Sequence, residues 1–97
     1  MIKIYTFQFN NAELLEKQFI TFKNFLKEEH QLICINNAYD NQDEKLAIER
    51  KAAELGIPHY YPEGVNHNQG AGRSHQLALN WAFRNLIMNH DGTVIIV

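Results

Sequence analysis

Apolar runs with strand character alternate along this chain with segments whose apolar residues recur at helical spacing. Strands are predicted at residues 2–9, 32–35, 59–61 and 93–97, and helices at about 11–26, 42–55 and 73–89. Such alternation favours a mostly parallel sheet joined by right-handed crossovers. The sequence therefore predicts a Rossmann-like three-layer α/β sandwich, with a mostly parallel four-stranded sheet and three helices.

Local signals define several ends of these elements. Asn10, with Glu13 three residues later, is typical of a helix N-cap. Gly56 is placed for a left-handed helix C-cap, and Pro58 prevents continuation of the second helix. The fourth strand, residues 93–97, is the most apolar segment, so we expect it to lie centrally in the sheet.

Size and charge exclude several classes of protein. The 97 residues suit one small domain, and a net charge of −2 gives no general attraction to nucleic acid or to anionic membranes. The one cysteine, Cys34, cannot form an internal disulfide and lies in an apolar strand, as a core residue would. The sequence has no signal-peptide pattern and no run of membrane-spanning length. We therefore predict a cytoplasmic location.

Amide side chains cluster where the predicted strands end. Gln8 and Asn10 close the first strand, Asn36 and Asn37 close the second, and a polar loop leads to Gly70. Ligands of parallel sheets bind at the carboxyl ends of the strands, and amides can both donate to and accept from a nucleobase or ribose. Ordinary turn chemistry explains the asparagine pair equally well.

Other reactive side chains give weaker signals. His59, His67, His75 and His90 lack the paired spacing of zinc ligands. Arg73 fits a surface or helix-capping role as well as a phosphate ligand. The segment 70–74 is either a ligand-free helix start or a close approach to an anion, and it lacks the pattern of a dinucleotide fingerprint.

Four segments resemble, in order, the motifs of GT-A glycosyltransferases, especially those of the family-2 type. Residues 7–15 (FQFNNAELL) are similar to the P-T-Y-N-N-x-x-x-L opening, and residues 35–39 (INNAY) to the V-D-N-A-S turn. Residues 68–72 (NQGAG) resemble the N-x-G-x-x element before the third helix. Residues 93–97 match the strand that delivers the metal-binding D-x-D motif in that family.

The resemblance implies that residues 1–97 form the N-terminal nucleotide-binding portion of a longer glycosyltransferase, a partial GT-A fold whose donor is a UDP-sugar. Gln8 would lie near the base or ribose, and the asparagine pair would face the uracil. The glycines would let the loop approach the nucleotide, and the helix after them favours negative charge. The nucleotide-binding residues so implied are Gln8, Asn10, Asn36, Asn37, Gly70, Gly72, Arg73 and His75.

Departures from the family pattern limit what the resemblance implies. Phe7, Gln8 and Asn36 replace the usual proline, threonine and aspartate, and His75 fills the usual arginine position. A complete enzyme would use Mg²⁺ or Mn²⁺, but the D-x-D motif and the catalytic base are not in this sequence, so we expect this segment alone to be inactive.

Two other functions stay open. The first is a non-enzymatic α/β interaction or regulatory domain, with a homodimer formed through an exposed sheet edge. The second is a flavodoxin-like receiver or mononucleotide binder. A receiver needs an acidic pair after its first strand, and residues 8–10 supply none.

Overall fold

The computed structural model describes residues 1–9, 11–38, 42–62 and 71–97, and only the helical placement of residues 71–74. The elements follow one another as predicted, strand by helix. In chain order they are β1 (Ile2–Gln8), α1 (Ala12–Phe25), β2 (His30–Asn36), α2 (Gln42–Leu55), β3 (His59–Tyr60), α3 (Ala71–Ala82), a π-helical turn (Phe83–Ile87) and β4 (Val94–Ile96).

The four strands form one parallel sheet in the order β3-β2-β1-β4. β1 pairs with β2 over seven residues, from Ile2 opposite His30 to Gln8 opposite Asn36. This register places the polar ends of the two central strands side by side. The predicted α/β class, with a four-stranded parallel sheet and three helices in a Rossmann-like sandwich, is confirmed.

Helices cover both faces of the sheet, because successive strand residues point to opposite sides. We call the two sides the α1/α2 face and the α3 face. The α1/α2 face buries Ile4, Leu15, Leu32, Cys34, Ala38, Ile48, Ala52 and Ile57. The α3 face buries Tyr5, Phe7, Ile33, Ile35, Ala78 and Ala82.

The prediction that the fourth strand lies centrally was wrong. β4 pairs with β1 and forms one edge of the sheet within the described part of the chain. Its apolar character has another cause: Val94 packs against the cluster of the α3 face, and Ile95 packs against that of the α1/α2 face. The hydrophobicity of a strand thus reports how its two faces are covered rather than how many strands flank it.

The helix ends follow the expected chemistry with one shift. The N-cap of α1 is Asn11, not the predicted Asn10, because the helix begins at Ala12 and the Asn11 Oδ1 accepts from the Leu14 backbone N–H at 3.1 Å. Asn10 itself lies outside the described residues. Gly56 has a φ of +70°, which confirms the left-handed cap predicted for α2.

The helix predicted to run to about Asn89 changes its winding after Ala82. The Met88 N–H donates to the Phe83 carbonyl at 2.9 Å, a bond over five residues that defines a π-helical turn. The wider turn lets the consecutive residues Leu86 and Ile87 both pack against the α3-face cluster.

Candidate functional site

The carboxyl edge of the sheet carries the polar residues that the sequence singled out. Parallel pairing brings the ends of β1 and β2 together, with Gln8 opposite Asn36. The start of α3 reaches the same edge, because the His75 ring lies 5.0 Å from the Phe7 ring in an edge-on arrangement. The ends of β1 and β2 and the first turns of α3 therefore meet at one edge of the molecule.

The asparagine pair is divided between the two faces of the sheet. Asn36 continues the row of Leu32 and Cys34, which belongs to the α1/α2 face. Asn37 is the next residue along the chain and therefore projects toward the α3 face. Both side chains are fully buried, and the Asn37 N–H donates to the Gln8 carbonyl at 2.7 Å. The two residues cannot perform the same task.

Gln8 is tied into a buried network on the α1/α2 face. Its Nε2 donates to the Thr6 Oγ1 at 2.7 Å and to the Gln18 Oε1 at 3.0 Å. The Thr6 hydroxyl donates to the same Gln18 oxygen at 2.6 Å. Gln8 is 2% exposed, and both of its amide protons are used within the protein. This network gives Gln8 a structural role in joining β1 to α1.

Asn36 joins three separate segments through its side chain. Its Oδ1 accepts from the Ala38 N–H at 3.2 Å, which forms an Asx turn after β2. Its Nδ2 donates to the Lys45 carbonyl of α2 at 2.9 Å and lies 3.0 Å from the His59 Nε2 of β3. The Asn36 amide therefore organises the turn and has little capacity left for a ligand.

His59 is held in its neutral form by this environment. Burial lowers the pKa of the imidazole below its ordinary 6.5. The nearby positive charge of Lys45 lowers the pKa further, and the carboxylate of Glu49 opposes both effects. A neutral ring can use its unprotonated nitrogen to accept a hydrogen bond.

Lys45 also supplies a fixed positive charge beyond the ends of β2 and β3. Its Nζ lies 3.9 Å from the centre of the Tyr61 ring, within the range of a cation–π interaction. Tyr61 itself falls just outside β3, which the sequence prediction had included in the strand. Burial raises the pKa of the Tyr61 phenol, so the ring stays neutral beneath the ammonium group.

The α3 face of the same edge is built from aromatic rings. The His75 ring contacts Phe7 and lies 5.9 Å from the Phe9 ring, tilted by 41°. The His75 Nδ1 is buried and has no hydrogen-bond partner among the described residues. His75 thus presents a polar atom inside a largely apolar wall next to the end of β1.

The remaining predicted ligands are placed only in part. Gly72 and Arg73 lie in the first turn of α3, so Gly72 is helical and not part of the approaching loop that the sequence suggested. Asn10 and Gly70 fall outside the described residues. Of the eight predicted ligands, the described side chains of Gln8, Asn36, Asn37 and His75 come together at the carboxyl edge.

The start of α3 differs electrostatically from the other two helix starts. α1 carries Glu13 in its first turn, and α2 carries Asp43 and Glu44, which offset the positive end of each helix dipole. The first turn of α3 has no acidic residue. Among the three α-helices that the structure describes, α3 is therefore the one with no acidic side chain in its first turn, a composition that suits a phosphate ligand.

The described residues do not fit the divalent cation that a complete GT-A enzyme would use. No group of three or more histidine, cysteine or acidic side chains is assembled in the part of the chain that the structure describes. Cys34 is buried, and burial raises the pKa of its thiol to about 12, so it remains protonated. A buried, protonated thiol is a poor nucleophile and a poor metal ligand.

A cavity of about 210 Å³ lies at the opposite, amino-terminal end of the strands. Its wall includes Phe19, Phe22 and Lys23 of α1, His30 of β2, and Pro58. None of the predicted nucleotide ligands whose side chains the structure describes lines it. The cavity therefore lies apart from the polar carboxyl edge.

The sequence did not reveal the groups that form hydrogen bonds with Gln8 and Asn36 at this edge. The sequence predicts strands that contain Thr6 and His59, but the only site role weighed for His59 is metal binding, and Thr6, Gln18 and Lys45 are not among the predicted site residues. The two-residue alternation of strands could have revealed that Thr6 and Gln8 share a face. The contact with Gln18 depends on how α1 packs, which no local pattern reports.

Comparison with protein-family models, with curated proteins and with solved structures yields no match for this chain. Within the described part of the chain, each helix is too short or too polar to span a membrane.

Proposed function

We propose that this chain is the nucleotide-binding portion of a GT-A glycosyltransferase, which receives the nucleotide of a UDP-sugar at the carboxyl edge of β1 and β2. The observation that carries the proposal is the contact between His75 and Phe7. It brings the helix that follows the third resembling segment onto the strand that contains the first.

The two faces of the edge take different roles in this proposal. Asn37 and His75, on the α3 side, would face the base and ribose, and the start of α3 would receive the diphosphate. Gln8 and Asn36 support the edge from the α1/α2 side, since their amides are used internally. Because Asn37 is fully buried, a bound base has to displace the groups that now cover it.

Sugar transfer itself is not assigned to this segment. The chemistry of a complete GT-A enzyme needs carboxylates that hold Mg²⁺ or Mn²⁺, and the described residues assemble no such set. The proposed role is therefore recognition of the nucleotide.

The test is an amide NMR titration of the full chain with UDP. We expect shifts at Phe9, Ala38 and His75, and binding about tenfold weaker in Asn37→Ala, the size of one lost base contact. Asn24→Ala, an exposed asparagine on α1, is the matched control and should bind as the unmodified chain does. Shifts confined to the amino-terminal cavity, or none at millimolar UDP, would reject the proposal.

A second candidate is a non-enzymatic interaction domain, and the exposed edge strand favours it. Ile96 is 48% exposed and Val97 45%, on an edge that carries no charged or proline residue between Thr93 and Val97. Such edges accept another strand, for example from a second copy of the chain. Light scattering over a concentration series should then detect a dimer that Ile96→Lys disrupts and Phe25→Lys, at another exposed position, does not.

A further inference from the structure

The orientation of the Asn36 amide is fixed by two of its neighbours. The Ala38 N–H is a donor and requires the Oδ1, while the Lys45 carbonyl is an acceptor and requires the Nδ2. Exchanging the oxygen and nitrogen would place like groups against each other at both positions. The atom that faces His59 is therefore the Nδ2, which can only donate.

This orientation also fixes the proton on His59. The His59 Nε2 lies 3.0 Å from a group that can only donate, so it must accept, and the ring proton must lie on Nδ1. A protonated ring would place an N–H against the Asn36 amide protons. Asn36 cannot turn to accommodate it without losing its contacts with Ala38 and Lys45.

We propose that His59 is a positioning residue of the carboxyl edge: its neutral ring holds the Asn36 amide and so fixes the turn that presents Asn37, and protonation of the ring loosens that turn. The consequence for nucleotide binding rests on the function proposed above. The effect on the turn does not.

Burial is the largest influence on the His59 ring and favours its neutral form. Two charged residues of α2 act in opposite directions: the carboxylate of Glu49 favours the protonated ring, and the ammonium of Lys45 has a smaller effect that disfavours it. The pKa of His59 is lowered because burial outweighs the effect of Glu49. A fall in pH through the lowered pKa of His59 therefore acts on one contact that joins β2, β3 and α2.

NMR of the unmodified chain tests the geometry without any variant. Ring nitrogen spectra at pH 7.5 should show His59 with its proton on Nδ1. On lowering the pH to 5, the Asn36 side-chain amide and the Ala38 backbone amide should shift with the same midpoint as the His59 ring. Hydrogen exchange at Ala38 should accelerate by about fivefold, the size of one ordinary hydrogen bond. A proton on Nε2 would overturn the inference, and so would Asn36 and Ala38 amide shifts that do not follow the titration of the ring.

Two glutamine variants separate this role from a general effect of pH. In His59→Gln the side-chain oxygen can still accept from Asn36 but does not titrate, so the Ala38 response should vanish while the turn is retained. His30→Gln should leave the response intact, since His30 lies at the amino-terminal end of β2, far from the turn, where its Nδ1 bonds to the Glu28 carbonyl. Loss of the Ala38 response in both variants, or in neither, would contradict the positioning role proposed for His59.

Uridine is the probe for binding, because it lacks a phosphate that titrates in this range. We expect about fivefold weaker binding at pH 5.5 than at pH 7.5 for the unmodified chain, and no pH dependence for His59→Gln. Coupling of His59 to the turn without uridine binding at either pH would reject the nucleotide function and still support the positioning role. Binding that weakens equally in both proteins would overturn the proposed link to His59.

Discussion

The two faces of the sheet treat polar residues at the strand ends in opposite ways. On the α1/α2 face, Gln8 and Asn36 form hydrogen bonds of 2.9 to 3.0 Å with Gln18, Lys45 and His59. On the α3 face, His75 lies among the Phe7 and Phe9 rings. The first face holds the edge in place through hydrogen bonds, whereas on the second face the His75 Nδ1 has no hydrogen-bond partner among the described residues.

The apolar layers of the two faces differ as well. α2 contributes the fully buried Ile48 to its face. Among the described side chains of α3, the buried ones are the alanines Ala78 and Ala82, and the larger ones are only partly covered. Small buried side chains let α3 lie close to the sheet but leave little apolar area per residue. The α1/α2 face should therefore carry more of the stability of the fold.

The largest expected effect tests this difference directly. Ile48→Ala should lower the free energy of unfolding by about 3 kcal/mol, because it leaves a cavity in a fully buried site. Leu86→Ala, its counterpart on the α3 face, should cost about 1 kcal/mol, since Leu86 is only partly buried. Urea denaturation of both variants measures the two values. Equal losses in the free energy of unfolding would show that the two faces contribute equally to stability.

The hydrogen-bonded support on the α1/α2 face should give the next largest effect. Thr6→Val preserves the shape of the side chain but removes the hydroxyl that bonds to both Gln8 and Gln18, at an expected cost of about 1.5 kcal/mol. Thr21→Val, at an exposed site on α1, should change stability by less than about 0.5 kcal/mol. If the two variants unfold at the same urea concentration, the network contributes nothing measurable.

The sequence was a good guide where one local signal decides the structure. The limits of α2, residues 42–55, were predicted as observed, and its end is marked by Gly56 in the left-handed conformation and by Pro58 two residues later. The central placement of β4 was predicted wrongly, since strand order depends on packing between distant segments. The prediction also treated Asn36 and Asn37 as one pair, although the alternation of a strand sends them to opposite faces.

The position of the candidate site was predictable from the sequence, but the different roles of its amide side chains were not. The ends of parallel strands meet at one edge, so the location follows from the order of elements. Which amides are already engaged depends on Gln18, Lys45 and His59, which are 10, 9 and 23 residues away from their partners. No local pattern reports such contacts. Whether the edge binds a nucleotide stays a prediction.

The pH dependence of stability gives a smaller effect on the same face. The pKa of His59 is lowered in the folded chain, so below about pH 6.5 the unfolded chain binds the proton more readily. The stabilisation is complete above pH 6.5 and is lost as the pH falls from there to the lower, folded-state pKa. Urea midpoints between pH 7.5 and 5.5 should therefore fall less steeply in His59→Gln than in the unmodified chain. Parallel curves for the two proteins would contradict this.

The smallest expected effect concerns the charge beside His59. Lys45→Met keeps the aliphatic stem and the backbone carbonyl that binds Asn36, but removes the ammonium group over Tyr61, at a cost of about 0.5 kcal/mol. Lys23→Met is the matched control, because its ammonium lies 6.0 Å from the Phe19 ring and should contribute less.

Lys45→Met should also change the pKa of His59. Because the charge of Lys45 helps to lower the pKa of His59, Lys45→Met should move the titration of the His59 ring to higher pH, while Lys23→Met leaves it in place. NMR titration of the ring protons measures both. An unchanged His59 titration in Lys45→Met would mean that burial alone keeps the ring neutral, and the positive charge on this face would then have no part in holding the edge.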